Sequence, residues 1–222
     1  VRVAGLLGEG VNMGGIEHTL NSDWQENTQN KEYLDLCVQR LNEPILTWVN
    51  QIANRLPENN IVLNDIGCNV GHFYRGIQSK NITYRGYDVS KTYLDIAKKN
   101  FGEYFYELDI TKQIPETANI TIISATLEHL ENYKEALKNI FISTTNKVII
   151  RTFVGYKSKI NYKLKPQSKE PYVIHQFTKK QLNPHKIPLT VIKDEATKSK
   201  RYKMDDIKRR MKILEFDLNY ES

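Results

Sequence analysis

The stretch Ile61 to Ile77, IVLNDIGCNVGHFYRGI, constrains the chain more than any other. A short apolar run ends in an acidic residue, then a glycine-bearing turn, then the start of a helix, the arrangement by which α/β proteins hold nucleotide-type cofactors. Gly67 and Gly71 can take backbone angles closed to other residues. They let a ligand lie against the main chain, with helix N–H groups aimed at its anionic end. The dinucleotide fingerprint G-x-G-x-x-G, begun at Gly67, would need glycine where Asn69 and His72 stand. A phosphate loop would need Gly-Lys-Ser/Thr where the chain has Gly71-His72-Phe73. Asp65, two residues before the first glycine, would repel a diphosphate and suits a ligand bearing an ammonium group. The expected cofactor therefore carries positive charge.

Asp65-Ile66-Gly67-Cys68-Asn69-Val70-Gly71 resembles motif I of the class I S-adenosylmethionine-dependent methyltransferases, usually D-x-G-x-G-x-G, with Asn69 in place of the middle glycine. Further segments follow in the family's order. Thr83 to Asp88 reads as a strand ending in a carboxylate 23 residues after Asp65, where an acidic residue can accept from both ribose hydroxyls. Tyr104 to Asp109 reads as a third strand, whose final carboxylate lies near the adenine amino group in the family. Ile120 to Ala125 is an apolar fourth strand running into Thr126-Leu127-Glu128-His129-Leu130, which resembles the L-E-H-L segment of many small-molecule methyltransferases of the sugar and quinone type. The resemblance spans Ile61 to Phe153. It implies S-adenosyl-L-methionine as cofactor and, as the residues that bind it, Asp65, Gly67, Cys68, Asn69, Gly71, Asp88, Val89, Asp109, Ile110 and Ser124.

Methyl transfer from a sulfonium needs alignment of donor and acceptor and, for a hydroxyl acceptor, removal of a proton. His129 and His175 are the candidate catalytic bases, because both fall at the expected active rim and imidazole titrates near neutrality. The alternative for His129 is that it seats the helix after the fourth strand. Metal-dependent relatives extend the segment to E-x-x-E-H, whose first position is Ala125 here, so no metal is expected. His18, His72 and His185 have no partner pattern and read as surface or packing residues.

A length of 222 residues suits one α/β domain with a small addition. Residues 1–21 read as a mobile tail and residues 22–222 as a single methyltransferase domain. Within it, 22–57 form a helical cap, 61–153 the cofactor-binding half and 154–222 an acceptor-side half with a lid. Cys37 and Cys68, far apart and without metal spacing, point to a reducing compartment, read as the cytoplasm. No apolar run approaches bilayer length, and no membrane partner is expected. The net charge of +6 is uneven: residues 156–212 hold 17 basic and 5 acidic groups. A solvated lysine-rich face is the preferred account of that segment, ahead of a phosphate-binding surface.

Apolar periodicity from Ser22 to Asn54, broken at Asn42-Glu43-Pro44, predicts two helices before the first strand. In the family such helices wall the acceptor pocket, which makes Trp24 and Tyr33 wall candidates, with packing on the sheet the preferred reading of either. Phe73 to Ser79 is the first predicted crossover helix. Lys91 to Phe101 is the second, capped by Ser90 and burying Tyr93, Leu94 and Ala97. Asn132 to Ser143 is a third, and Lys147 to Phe153 a fifth strand. Gly155 to Tyr172 has no clear periodicity and reads as an excursion or lid. Next comes H-x-F-[ST]-x-x-x-L, met by His175, Phe177, Thr178 and Leu182, with a short helix from Thr178. Strands near Leu189 to Lys193 and Lys212 to Asn219 would complete the sheet. The expected fold class is α/β, a Rossmann-like, doubly wound, seven-stranded sheet, mostly parallel, with the last strand antiparallel and an N-terminal helical cap.

The leading expectation is O-methylation of a small polar or phosphorylated acceptor such as a sugar or surface-glycan precursor. Methylation of RNA through the basic segment is the alternative, since nucleic acid is a possible though less favoured partner, and a cofactor-binding pseudoenzyme is a third.

Overall fold

The computed structural model describes residues 31–164, 171–196 and 210–219. Helices α1 (Lys31–Arg40) and α2 (Thr47–Ala53) precede strand β1 (Asn59–Ile66). They are followed by α3 (His72–Ile77), β2 (Asn81–Asp88), α4 (Lys91–Phe101), β3 (Phe105–Glu107) and β4 (Ala118–Ser124). A single 3-10 turn, Leu127–His129, leads to α5 (Tyr133–Ile142) and β5 (Thr144–Val154). Beyond β5 come β6 (Lys159–Leu164), β7 (Pro171–Gln176), α6 (Lys179–Leu182), β8 (Leu189–Ala196) and β9 (Arg210–Asp217). The predicted tail 1–21, Trp24 and the start of the cap lie outside the described residues.

Seven strands form one sheet in the order β3-β2-β1-β4-β5-β9-β8. The pairs among β1 to β5 are parallel, and β9 runs antiparallel to both β5 and β8. This is the predicted α/β sheet. The order reverses between β1 and β4, and open α/β sheets bind ligands at such a switch point, outside the carboxyl ends of the strands.

Alternation along the strands divides the core into two layers. Leu63, Tyr84, Ile120, Ile122, Ile149 and Ile213 meet α2, α3 and α4 on one face through Val49, Ile52, Phe73, Ile77, Leu94 and Ala97. Ile66, Tyr87, Ile123, Val148, Ile150 and Leu214 meet α5 on the other through Ala136, Leu137 and Ile140. Helix α4 has the predicted bounds. The Ser90 hydroxyl accepts from the Tyr93 N–H at 3.3 Å, which supplies one of the donors a helix start leaves unpaired. The short helix α6 begins after Thr178 with a reciprocal cap to Gln181, also as its sequence implies.

The segment after β5 departs from its expected form. In place of an aperiodic lid, β6 and β7 pair as an antiparallel hairpin, with Ile160 opposite His175. The hairpin is anchored by the Val154 to Phe177 bridge, and the Phe177 ring is buried in the α5 layer. No helix among the described residues is long and apolar enough to cross a membrane.

Candidate active site

The glycine turn is shaped by three residues with positive φ: Gly67 at 73°, Asn69 at 52° and Gly71 at 90°. Asparagine tolerates the left-handed region better than most side chains, which explains how Asn69 stands where the family pattern has glycine. Its side-chain carbonyl accepts from the Val70 N–H at 2.8 Å and so supports the conformation. Gly67 has a second requirement, because a Cβ there would meet Thr126 Oγ1 at 2.1 Å. The turn after β1 and the segment after β4 therefore touch at the switch point. Ala125, next to that contact, holds φ at 55°, a conformation that costs an alanine roughly 1–2 kcal/mol.

Asp88 ends β2 beside this turn. Its carboxylate accepts from the Asn69 N–H at 2.9 Å and from the Ser90 N–H at 2.9 Å, tying the glycine turn to the start of α4. Burial raises its pKa, opposed by the N–H groups of Ser90, Asn69 and Val89. Asp65 lies deeper. It is 3% exposed and accepts from the Tyr84 hydroxyl at 2.7 Å. Desolvation lifts its carboxyl from the usual range to about 7. Neither carboxylate has an ion-pair partner among the described residues. Two adjacent acids that burial pushes toward neutrality, with no cation paired to either among the described residues, are the electrostatic complement of a ligand bearing sulfonium and ammonium charge, and they would repel a diphosphate.

The remaining candidates take varied positions. Cys68 turns its thiol into the core, 4% exposed, where Sγ donates to the Asn69 carbonyl at 3.7 Å. Val89 supplies an N–H to the Asp88 carboxylate. Asp109 lies just after β3, where its carboxylate accepts from the N–H and hydroxyl of Thr111 and pairs with Lys112 at 3.4 Å. Ile110 is buried in the α5 layer, and its carbonyl accepts from the Asn139 amide. Ser124 closes β4 and accepts from Arg151 at 3.4 Å.

His129 and His175 do come together, on opposite sides of a clasp between the 3-10 turn and β7. His129 Nδ1 donates to the Val173 carbonyl at 3.1 Å, and His175 donates to the Leu130 carbonyl. A carbonyl can only accept, so His129 carries a proton on Nδ1. His175 is 5% exposed, stacked on Phe177 at 5.4 Å with Tyr133 at 5.2 Å. Burial lowers its pKa, and its Nε2 has no hydrogen-bond partner. Glu128, the acid of the L-E-H-L segment, points inward and accepts from Thr152 Oγ1 at 2.8 Å. Among the described residues no group of three His, Cys, Asp or Glu side chains is placed to hold a metal ion. Two residues not singled out from sequence also reach this edge: Arg151, from β5, and Trp48, whose ring it faces at 5.1 Å.

Comparison with known proteins bears on this arrangement. A family model described as Methyltransferase domain matches residues 64–144, which run from the Asp65 turn to the start of β5 and include Asp88, Asp109 and the L-E-H-L segment. Over those residues the chain carries a methyltransferase domain. No curated protein matches the chain. Solved structures show the same fold. A SAM-dependent methyltransferase from Methanosarcina mazei is 14% identical, with a TM-score of 0.59 over 75% of this chain and 96% of that one. Magnesium protoporphyrin IX methyltransferase from Synechocystis, solved with bound SAM, is 13% identical, with a TM-score of 0.60 over 89% and 96%. A possible histamine N-methyltransferase from Thermotoga maritima is 12% identical, with a TM-score of 0.55 over 88% and 98%. The methyltransferase thus has its glycine turn and both unpaired carboxylates at the edge where the fold binds ligands.

The raised carboxyl of Asp65 predicts a pH signature. The folded state binds a proton up to about pH 7, whereas the unfolded chain releases it near 3.8, so between those values the folded form holds more protons. Stability from this group is present below pH 3.8 and lost as pH rises toward 7. Asp65→Asn is expected to raise the melting temperature of the ligand-free methyltransferase at pH 8, by roughly 2–4 °C per kcal/mol recovered, and to flatten its slope between pH 5 and 8. Melting curves of both proteins without ligand test this. Identical slopes would show that Asp65 is ionised in the fold.

Proposed function

We propose that the methyltransferase transfers the methyl group to oxygen on a small polar or phosphorylated acceptor, of the kind found in sugars and glycan precursors. The observation that carries this reading is the orientation of His129. A hydroxyl acceptor needs a base, and the Val173 carbonyl holds this imidazole by Nδ1 just beyond β4. The L-E-H-L segment supports the same class by resemblance. Asp65, Gly67, Asn69, Gly71 and Asp88 hold the donor in this reading, with Asp88 accepting from the ribose hydroxyls. Proteins of this fold are named for acceptors as unlike as magnesium protoporphyrin IX and, as a possibility, histamine, so the fold serves acceptors of many kinds.

The test is a screen of pooled small acceptors against total RNA with radiolabelled donor. Label incorporated into the small pool alone supports the proposal. Label confined to RNA would replace it with RNA methylation through the basic segment, and no label in either pool would leave cofactor binding as the only function.

A phosphorylated acceptor has a further consequence at the hairpin. Lys157 and Lys159 stand at its base with Lys157 exposed, the side chain of Lys163 lies outside what is described, and Lys165 falls outside the described residues. If this lysine group attracts the acceptor, its KM should rise with salt while donor affinity stays nearly flat, since exposed charges are screened beyond a Debye length of ~8–10 Å. Initial rates and donor titrations over a range of ionic strength give the answer. An equal response of both ligands would remove the lysines from acceptor binding, and steep dependence with long RNA alone would favour RNA.

A further inference from the structure

Arg55, Arg85 and Arg210 each pair with a carboxylate, and Arg75 donates to the carbonyls of Arg40, Leu41 and Glu43. Arg151, like Arg40, has no carboxylate within ion-pair distance among the described residues. It stands opposite Ser124 in the parallel register of β4 and β5, two positions beyond Ile149, and so shares the sheet face covered by α2. One guanidinium nitrogen donates to Ser124 Oγ at 3.4 Å, and the guanidinium carbon sits 5.1 Å from the centre of the Trp48 ring. Trp48 is itself positioned by stacking on the buried Phe73 at 6.0 Å.

The two nearest acids act on Arg151 only at longer range and are otherwise engaged. Glu128 is bonded to Thr152 at 2.8 Å, and Glu195 is paired with Lys193 at 2.9 Å. Desolvation lowers the pKa of Arg151, so the charge has been drawn partly out of water without a counterion beside it. An aromatic face and a hydroxyl orient the guanidinium but do not neutralise it. Its complement is an anion, and the planar fork suits two oxygens of one group.

Position separates this site from the donor's. Asp88 ends β2 and the glycine turn follows β1, while β5 lies two strands farther along the edge, ~10 Å from β1 at the usual strand spacing. A donor laid from Asp88 across the turn has β4 and β5 on its far side. We propose that Arg151, held by Trp48 and Ser124, anchors an anionic group of the methyl acceptor, a carboxylate or a phosphate. This rests on the acceptor being a small molecule, as above. The two readings fail separately, because a neutral small acceptor would end this one and leave that one intact.

The experiment uses the full chain saturated with S-adenosylhomocysteine, in a Trp24→Phe background so that Trp48 is the only tryptophan reporter. Inorganic phosphate and acetate are titrated in turn at constant ionic strength while Trp48 fluorescence is followed, with calorimetry as a second readout. The parent should give a saturable response to at least one anion. Arg151→Gln should weaken it by about tenfold or more, with S-adenosylhomocysteine affinity within about twofold of the parent. Arg151→Lys keeps the charge without the fork and should give a smaller loss, and it carries the test if the glutamine variant does not fold. An unsaturable parent response, or equal responses in parent and variants, would overturn the proposal. So would a tenfold loss of S-adenosylhomocysteine affinity in Arg151→Gln, which would assign the guanidinium to the donor's own carboxylate.

Discussion

Exchange of His129 for asparagine is expected to lower kcat by ~10²–10⁴-fold, the usual cost of losing a general base. Donor affinity and melting temperature should stay close to parental, because the asparagine amide can still donate to the Val173 carbonyl that now holds Nδ1. His175→Asn should behave differently. That ring is buried between Phe177 and Tyr133, so truncation removes packing under the hairpin and should cost about 2 kcal/mol or more, roughly 4–8 °C in melting temperature. Turnover, donor titration and melting curves on both variants separate the roles. If both keep near-parental turnover, neither histidine takes the acceptor's proton. A large kcat loss in His175→Asn at unchanged melting temperature would transfer the role to His175.

Asp88→Ala is expected to weaken donor binding by more than tenfold, ~1.5–3 kcal/mol, when calorimetry compares it with the parent. Two effects act together. The ribose hydroxyls lose their acceptor, and the N–H groups of Asn69 and Ser90, both now bonded to this carboxylate at 2.9 Å, lose theirs. Asn69 would then have to hold a left-handed conformation with less support. Asp88→Asn keeps one acceptor oxygen and should fall between the two. Unchanged donor affinity in Asp88→Ala would remove this residue from the donor site.

Several features of the methyltransferase were legible as sequence because their causes are local. Helix α4 could be bounded from Ser90 to Phe101, since its cap and its buried residues Tyr93, Leu94 and Ala97 lie within about three turns of one another. Strand β1 carries the apolar run Ile61 to Leu63 ahead of Asp65, β2 ends at Asp88 and β4 is largely apolar up to Ser124, and their alternation with helices implied the doubly wound sheet. The hairpin β6–β7 was not legible. Lys159 to Leu164 alternates polar and apolar residues, but Pro171 to Gln176 does not, and what holds β7 in place is contact with the 3-10 turn more than 40 residues earlier, through His129 and Val173.

The same distinction of range applies to the site. Which residues form the turn, and that it suits a cationic cofactor, follow from Asp65, Gly67, Asn69 and Gly71 in order, because backbone freedom and charge belong to the residues themselves. Only the tertiary structure decided their state. Asp65 is raised to about 7 because folding encloses it beneath Tyr84 and near Asp88, and burial cannot be read from a residue's type. Arg151 and Trp48 are 103 positions apart and resemble any surface cation and any core aromatic until β5 and α2 bring them together. The sequence by itself determined the fold class, the cofactor and the positive-φ turn after β1. The clasp of the two histidines, the protonation of Asp65 and the unneutralised guanidinium were set by packing, since each depends on which distant groups exclude water from it.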